Sequence, residues 1–124
     1  MRVESVLVAY ETVRALADVP VTHVNTALKL ANALRILTPI AQNYEESRQE
    51  LLREYACVDS TGELLEGEDG DATFSYPEDR LAFETEWKTA MDEDLVIPAL
   101  FDAGDFEGLN VTGMMLYNLL DLLE

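Results

Sequence analysis

From Thr22 to Tyr55 the chain reads THVNTALKLANALRILTPIAQNYEESRQELLREY, and this stretch decides the fold. Its apolar positions fall at Leu30, Leu34, Leu37, Ala41, Tyr44, Leu51 and Tyr55, in alternating steps of four and three. Only Arg48 interrupts the series. That spacing aligns one side of an α-helix over its whole length. Pro39 opposes a helix, because it lacks a backbone donor and its ring crowds the preceding turn. The apolar phase nevertheless runs unchanged through Pro39, which predicts a single helix kinked there, with two shorter helices as the alternative.

Working outward, residues 3–17 predict a first amphipathic helix, with Val3, Val6, Leu7, Tyr10, Val13, Leu16 and Ala17 on one face. Asp18-Val19-Pro20-Val21 is a short connection, and Thr22 is placed to cap the long helix. So short a link predicts an antiparallel helical hairpin. The polar middle, residues 56–76, predicts a small β-hairpin or meander. Asp59-Ser60-Thr61-Gly62 makes a turn, a mobile acidic loop occupies 66–71, and Phe74 and Tyr76 alternate along a strand. A third helix should start near Pro77, capped by Ser75, and bury Phe83, Trp87, Ala90 and Met91. Leu95-Val96-Ile97-Pro98 reads as extended and Phe101 to Gly108 as irregular or one helical turn. Thr112 should cap a last, leucine-rich helix whose stripe docks the C-terminal residues.

The expected fold class is therefore mainly α with a small α+β element: a helical hairpin with a long kinked second helix, a β-hairpin and two further helices. A chain of 124 residues suits a single domain. Within it, 3–55 form the helical hairpin, 56–76 the acidic turn region, and 77–124 the C-terminal helices and short strands.

Charge is the most unusual property. The chain carries 25 acids against eight bases, a formal net charge of −17. Residues 1–44 hold three acids and four bases; residues 45–124 hold the other 22 acids and four bases, a net −18. Such a surface repels a phosphate backbone, so direct nucleic-acid binding is not expected. It suits a basic protein partner, imitation of a polyanion, or plain solubility. The candidate partner-binding acidic face comprises Glu63, Glu66, Glu68, Asp69, Asp71, Asp92, Glu93 and Asp94. The candidate self-association seam on the long helix comprises Leu37, Tyr44, Leu51 and Tyr55, through which a homo-oligomer could form.

Catalytic chemistry is hard to find. His23 is the only histidine, and nothing marks a nucleophile or an orienting carboxylate for it. Cys57 is the only cysteine, which excludes an internal disulfide and reads as a small apolar residue. The EF-hand spacing fails from Asp59, because Leu64 stands where the loop needs glycine. No phosphate-binding glycine loop, zinc-protease helix or nucleophile elbow occurs. The expectation is no enzyme activity, no metal and no cofactor. No stretch is apolar enough for a membrane span, and no basic-then-apolar leader opens the sequence.

The order of parts resembles a family of small uncharacterised proteins of tailed bacteriophages and prophages. The matching residues are Val19-Pro20-Val21, Glu45-Glu46-Ser47-Arg48 with Leu51-Leu52-Arg53-Glu54-Tyr55, Asp59-Ser60-Thr61-Gly62, and Thr112 through Leu123. Pro39 and the lysine-poor composition depart from that pattern. The resemblance implies a phage origin, production in the cytoplasm of the infected bacterium and no catalytic residues. Three functions fit these expectations. The first is an acidic protein that binds and inhibits a host defence or nucleic-acid-handling protein. The second is a virion or tail-assembly component or chaperone. The third is a nucleotide sponge using Arg2, Arg14, Lys29 and Arg35.

Overall fold

The computed structural model describes residues 1–21 and 23–124. The molecule is mainly helical: α1 (Val3–Ala17), α2 (Val24–Tyr55), α3 (Pro77–Met91) and α4 (Gly113–Leu119), with 3-10 turns at Ala103–Phe106 and Leu120–Leu122. The expected cap at Thr22 lies outside the described residues. α2 is one helix with Pro39 inside it. Pro39 and Arg35, whose carbonyl loses its i+4 donor, are both exposed, so water can hydrate the freed oxygen.

Two compact units divide the chain. The first comprises Met1–Ala41 and Glu93–Glu124; the second comprises Gln42–Asp92.

The first unit holds an extensive core. Val6, Ala9, Val13 and Leu16 from α1 pack in one cluster with Leu30, Ala33 and Leu37 from α2. Phe101, Phe106, Leu119 and Leu122 complete it, with the two phenylalanine rings 5.2 Å apart. The first residues are tied down by backbone bonds: Leu95 N–H donates to Met1 at 2.7 Å and Val3 N–H to Glu93 at 2.9 Å. At the other end Leu100 and Phe101 N–H both donate to Leu122, and Glu124 N–H donates to Phe101 at 2.9 Å. Thr112 caps α4 as its residue type predicts, accepting from Met115 N–H at 3.1 Å.

The second unit buries little. Leu52 and Phe83 are its two buried apolar side chains among the described residues. Phe83 sits 5.9 Å from the ring of Phe74, and the Arg80 guanidinium lies 5.3 Å from the same ring. Tyr55 donates to Glu86 at 2.6 Å, joining the end of α2 to α3. The expected cap of α3 is corrected: its N-cap is Tyr76, with no side-chain cap, and Pro77 occupies the first turn. The extended backbone that Pro77 imposes on its predecessor makes Tyr76 the boundary residue.

The expected β-hairpin is also corrected. Among the described residues there are isolated bridges and no strand: Val58 with Leu64, and Glu66 with Ala72, in this unit. The physical reason is room. Each turn takes up five residues, Asp59–Glu63 and Gly67–Asp71, leaving one bridged pair on its flanks before the next begins. Phe74 is half-buried, but Tyr76, its expected partner on a strand face, is 66% exposed.

Candidate functional site

The acidic region of the second unit is built from two turns that match each other at an offset of eight residues. Asp59 N–H donates to Glu63 at 2.8 Å, and Gly67 N–H donates to Asp71 at 2.8 Å. Gly62 N–H donates to Asp59, and Gly70 N–H to Gly67. Gly62 and Gly70 have φ of 85° and 80°, the left-handed region that a Cβ makes costly. The flanking bridges, Val58 with Leu64 and Glu66 with Ala72, obey the same offset.

Three backbone bonds then close the pair into a ring. Leu65 N–H donates to Cys57 at 3.0 Å, Thr73 N–H to Leu65 at 3.2 Å, and Cys57 N–H to Thr73 at 2.8 Å. Residues 57, 65 and 73 thus hold one another without a sheet. This arrangement fixes the bases of both turns in a segment almost devoid of buried apolar side chains.

Carboxylates line this frame. Glu63, Glu66, Glu68, Asp69 and Asp71 are all exposed. No lysine or arginine occurs between Arg53 and Arg80. The ion pairs Arg2–Glu4, Lys29–Asp102 and Lys29–Asp105 involve none of the five. Asp59 has a different task. Its carboxylate accepts from the Thr61 hydroxyl at 2.6 Å, from Thr61 N–H at 2.8 Å and from Glu63 N–H at 3.0 Å. Those bonds, the hydroxyl first, hold its pKa below the usual carboxylate value. It is a structural acid within the turn. In the second turn the Asp69 carboxylate accepts one such bond, from Asp71 N–H at 3.1 Å.

The eight residues of the expected acidic face therefore separate. Five belong to the double turn. Asp92 terminates α3, its N–H donating to Lys88 and Ala90. Glu93 and Asp94 belong to the first unit, where the Glu93 carbonyl accepts from Val3 and Asp94 bridges Arg2.

The expected self-association seam needs a correction at Leu37. That side chain is fully buried in the first unit's core and offers nothing to a partner. Tyr44, Leu51 and Tyr55 are half-buried, and Tyr55 is already bonded to Glu86. Leu52, not its neighbour Leu51, is the buried leucine at this end of α2. Leu52 lies 15 residues beyond Leu37, one more than two whole heptads, so strict heptad spacing from Leu37 selects the wrong leucine.

Sequence reasoning missed a polar cluster in the first unit. Lys29 Nζ lies 2.8 Å from Asp105 and 3.1 Å from Asp102, and the buried Thr26 hydroxyl donates to the Asp105 carbonyl at 3.0 Å. Asp102 and Asp105 also form a reciprocal capping box around the 3-10 turn. The Asp105 and Asp102 hydrogen bonds raise the Lys29 pKa. Glu124 hydrogen-bonds to Asp102, which lowers the Asp102 pKa together with Lys29 and raises that of Glu124. The Asp-x-x-Asp spacing of 102–105 was the available signal for the box; nothing in the sequence pairs it with Lys29.

His23 is exposed, and its carbonyl accepts from Ala27 in the first turn of α2. Cys57 is half-buried with its Sγ 3.2 Å from Ser75 Oγ. Among the described residues no group of three or more His, Cys, Asp or Glu is arranged to hold a metal ion. Among the described residues no helix is long and apolar enough to cross a membrane. No protein-family model, curated protein or solved structure matches the chain.

Proposed function

We propose that this chain is a non-enzymatic, phage-encoded interaction protein whose acidic double turn covers a basic surface on a host defence or nucleic-acid-handling protein. It would act in the cytoplasm of the infected cell, with α1 and the first half of α2 as the arms of an antiparallel hairpin. One observation carries the reading. Five exposed carboxylates lie within residues 63–71, on backbone closed by its own hydrogen bonds, in a stretch with no lysine or arginine between Arg53 and Arg80, and the ion pairs Arg2–Glu4, Lys29–Asp102 and Lys29–Asp105 involve none of them.

Like charges crowded on a short segment are unfavourable for the free protein and are relieved when a basic surface meets them. Exposed charges also steer encounter, so association should be fast and strongly screened by salt. The closed frame keeps the ordering of the turns from being charged against binding. The nucleotide-sponge alternative is less favoured, because Lys29 is engaged by two aspartates and Arg2 by Glu4.

The test compares the native chain with a variant carrying E66Q, E68Q, D69N and D71N, each tagged and recovered from phage-infected cells at low and high salt. A basic host protein held by the native chain at low salt, released at high salt and not held by the variant supports the reading. Equal recovery on both chains, or recovery indifferent to salt, overturns it.

A further inference from the structure

The first unit carries a second surface of different chemistry. α4 is apolar almost all round, which is expected of a helix covered on every side. Its inner face is covered: Leu119 is fully buried. Its outer face is not. Met114, Tyr117 and, one step into the following 3-10 turn, Leu120 are 67%, 69% and 55% exposed and recur every third residue. α1 packs beside α4 and adds Val8, 42% exposed.

Between the two helices run two depressions, of 370 and 440 Å³, that share Val8 and Asn118 and so form one groove. Its floor is internally satisfied. The Asn118 amide donates to the Thr12 hydroxyl at 3.2 Å, and Thr12 donates to the Val8 carbonyl at 3.1 Å. The lining on α1 extends from Arg2 to Ala15, a rise of roughly 20 Å.

We infer that this α1–α4 groove docks an amphipathic α-helix of about 14 residues with basic flanks, supplied by a partner protein. Length and shape favour a helix, since a third helix laid along two packed ones completes ridge-into-groove packing. Tyr, Met and aliphatic side chains at the centre with charge at the edge is the usual make-up of a binding hot spot. The rim decides the occupant's charge. Glu4, Glu11 and Asp121 line it, and the one base there, Arg2, is paired with Glu4 at 3.3 Å. A second copy docking symmetrically through this face would set the same three acids against themselves. A partner bearing Lys or Arg beside its apolar stripe meets the opposite sign. This inference shares with the acidic-turn reading only the sign of the partner's charge; the surface lies in the other unit.

The probe is a synthetic helical peptide of about 14 residues, with leucines at i, i+4, i+7 and i+11 and lysines flanking them. A control peptide has every lysine replaced by glutamate. Binding is followed by calorimetry and by amide shifts in the full chain. The expected result is shifts centred on Val8, Glu11, Met115 and Tyr117, which line the groove, and binding of the lysine peptide at least about tenfold tighter than of the control. The double variant Tyr117→Ser, Leu120→Ser should weaken binding about tenfold or more with the melting temperature unchanged. The four-fold acidic-turn variant described above should bind the peptide as the native chain does. Equal binding of the two peptides overturns the inference, as does unaltered binding by the double variant. So does loss of binding in the acidic-turn variant, which would place the peptide on the turns. A concentration-dependent dimer with the same shifts would replace the basic helix with a second copy.

Discussion

Among the described residues fourteen apolar side chains are buried, and twelve belong to the unit made of Met1–Ala41 and Glu93–Glu124. The other unit, Gln42–Asp92, has Leu52 and Phe83. Charge divides the other way. Gln42–Asp92 holds 15 acids and four bases, a net −11, in its 51 residues; the larger unit holds ten acids and four bases, a net −6. One unit is held by removing apolar surface from water. The other relies on helix ends, an aromatic pair and a ring of backbone hydrogen bonds, each worth about 1 kcal/mol net. A segment whose surface is given over to carboxylates has few positions left for a core, and the double turn is how this chain orders such a segment.

The contrast can be broken most directly in the cores. Leu37→Ala should cost about 3–4 kcal/mol, because it leaves a cavity in the well-packed cluster. Leu52→Ala should cost about 2 kcal/mol, since its sparser surroundings can relax into the space. Urea unfolding followed by circular dichroism gives both, and equal losses would erase the distinction between the units. Hydrogen exchange sharpens it: amides of Gln42–Asp92 should exchange through openings smaller than global unfolding.

Next in size is Thr26→Val, which keeps the shape of a buried side chain but deprives the Asp105 carbonyl of its donor. A loss of about 1–2 kcal/mol in the same unfolding experiment is expected. The conservative comparison is Thr26→Ser, which retains the hydroxyl and should recover most of that loss.

Gly62→Ala and Gly70→Ala should each cost about 1 kcal/mol, for backbone conformation alone, because a Cβ at either position meets nothing within 4 Å. Matching turns require matching costs. A difference above about 1 kcal/mol between the two would show that the eight-residue correspondence is only geometric.

The smallest effect is a titration. The Tyr55 pKa is pushed up to about 12, chiefly by its hydrogen bond to Glu86. A raised folded-state value gives stabilisation that is complete below the ordinary tyrosine pKa of 10.0 and is lost as pH rises through about 12. In an ultraviolet titration Tyr55 should ionise late, and Glu86→Gln should move its ionisation to lower pH.

The two units also differ in how much of them could be read in advance. The larger one advertises itself through periodicity. Val3–Ala17 emerges with the bounds its apolar spacing predicts, and α2 runs on through Pro39 because its phase is continuous across that residue. Thr112 caps α4 because a threonine hydroxyl has few better uses there. In the acidic unit the alternation of Phe74 and Tyr76 suggested a strand that does not form. The local pattern allowed a hairpin; the fact that residues 57, 65 and 73 satisfy one another left no ladder to extend. The Lys29 cluster joins residues 73 and 76 positions apart, a distance over which no helical or strand period carries information. The outward stripe of α4 cannot be told from its inward one by periodicity, because in sequence a covered leucine and an uncovered one are the same letter.

The division of the chain bears on the order in which the protein can be made. Its larger unit is assembled from two segments with Gln42–Asp92 between them, and its core needs Phe101, Phe106, Leu119 and Leu122. As the chain leaves the ribosome, α1 and the first turns of α2 therefore emerge with only each other to cover their apolar faces. They must wait for residues some eighty positions later. The acidic unit, whose ring closes within residues 57–73, can be finished in that interval. Its negative charge would then keep the nascent chain soluble while the apolar half is still incomplete.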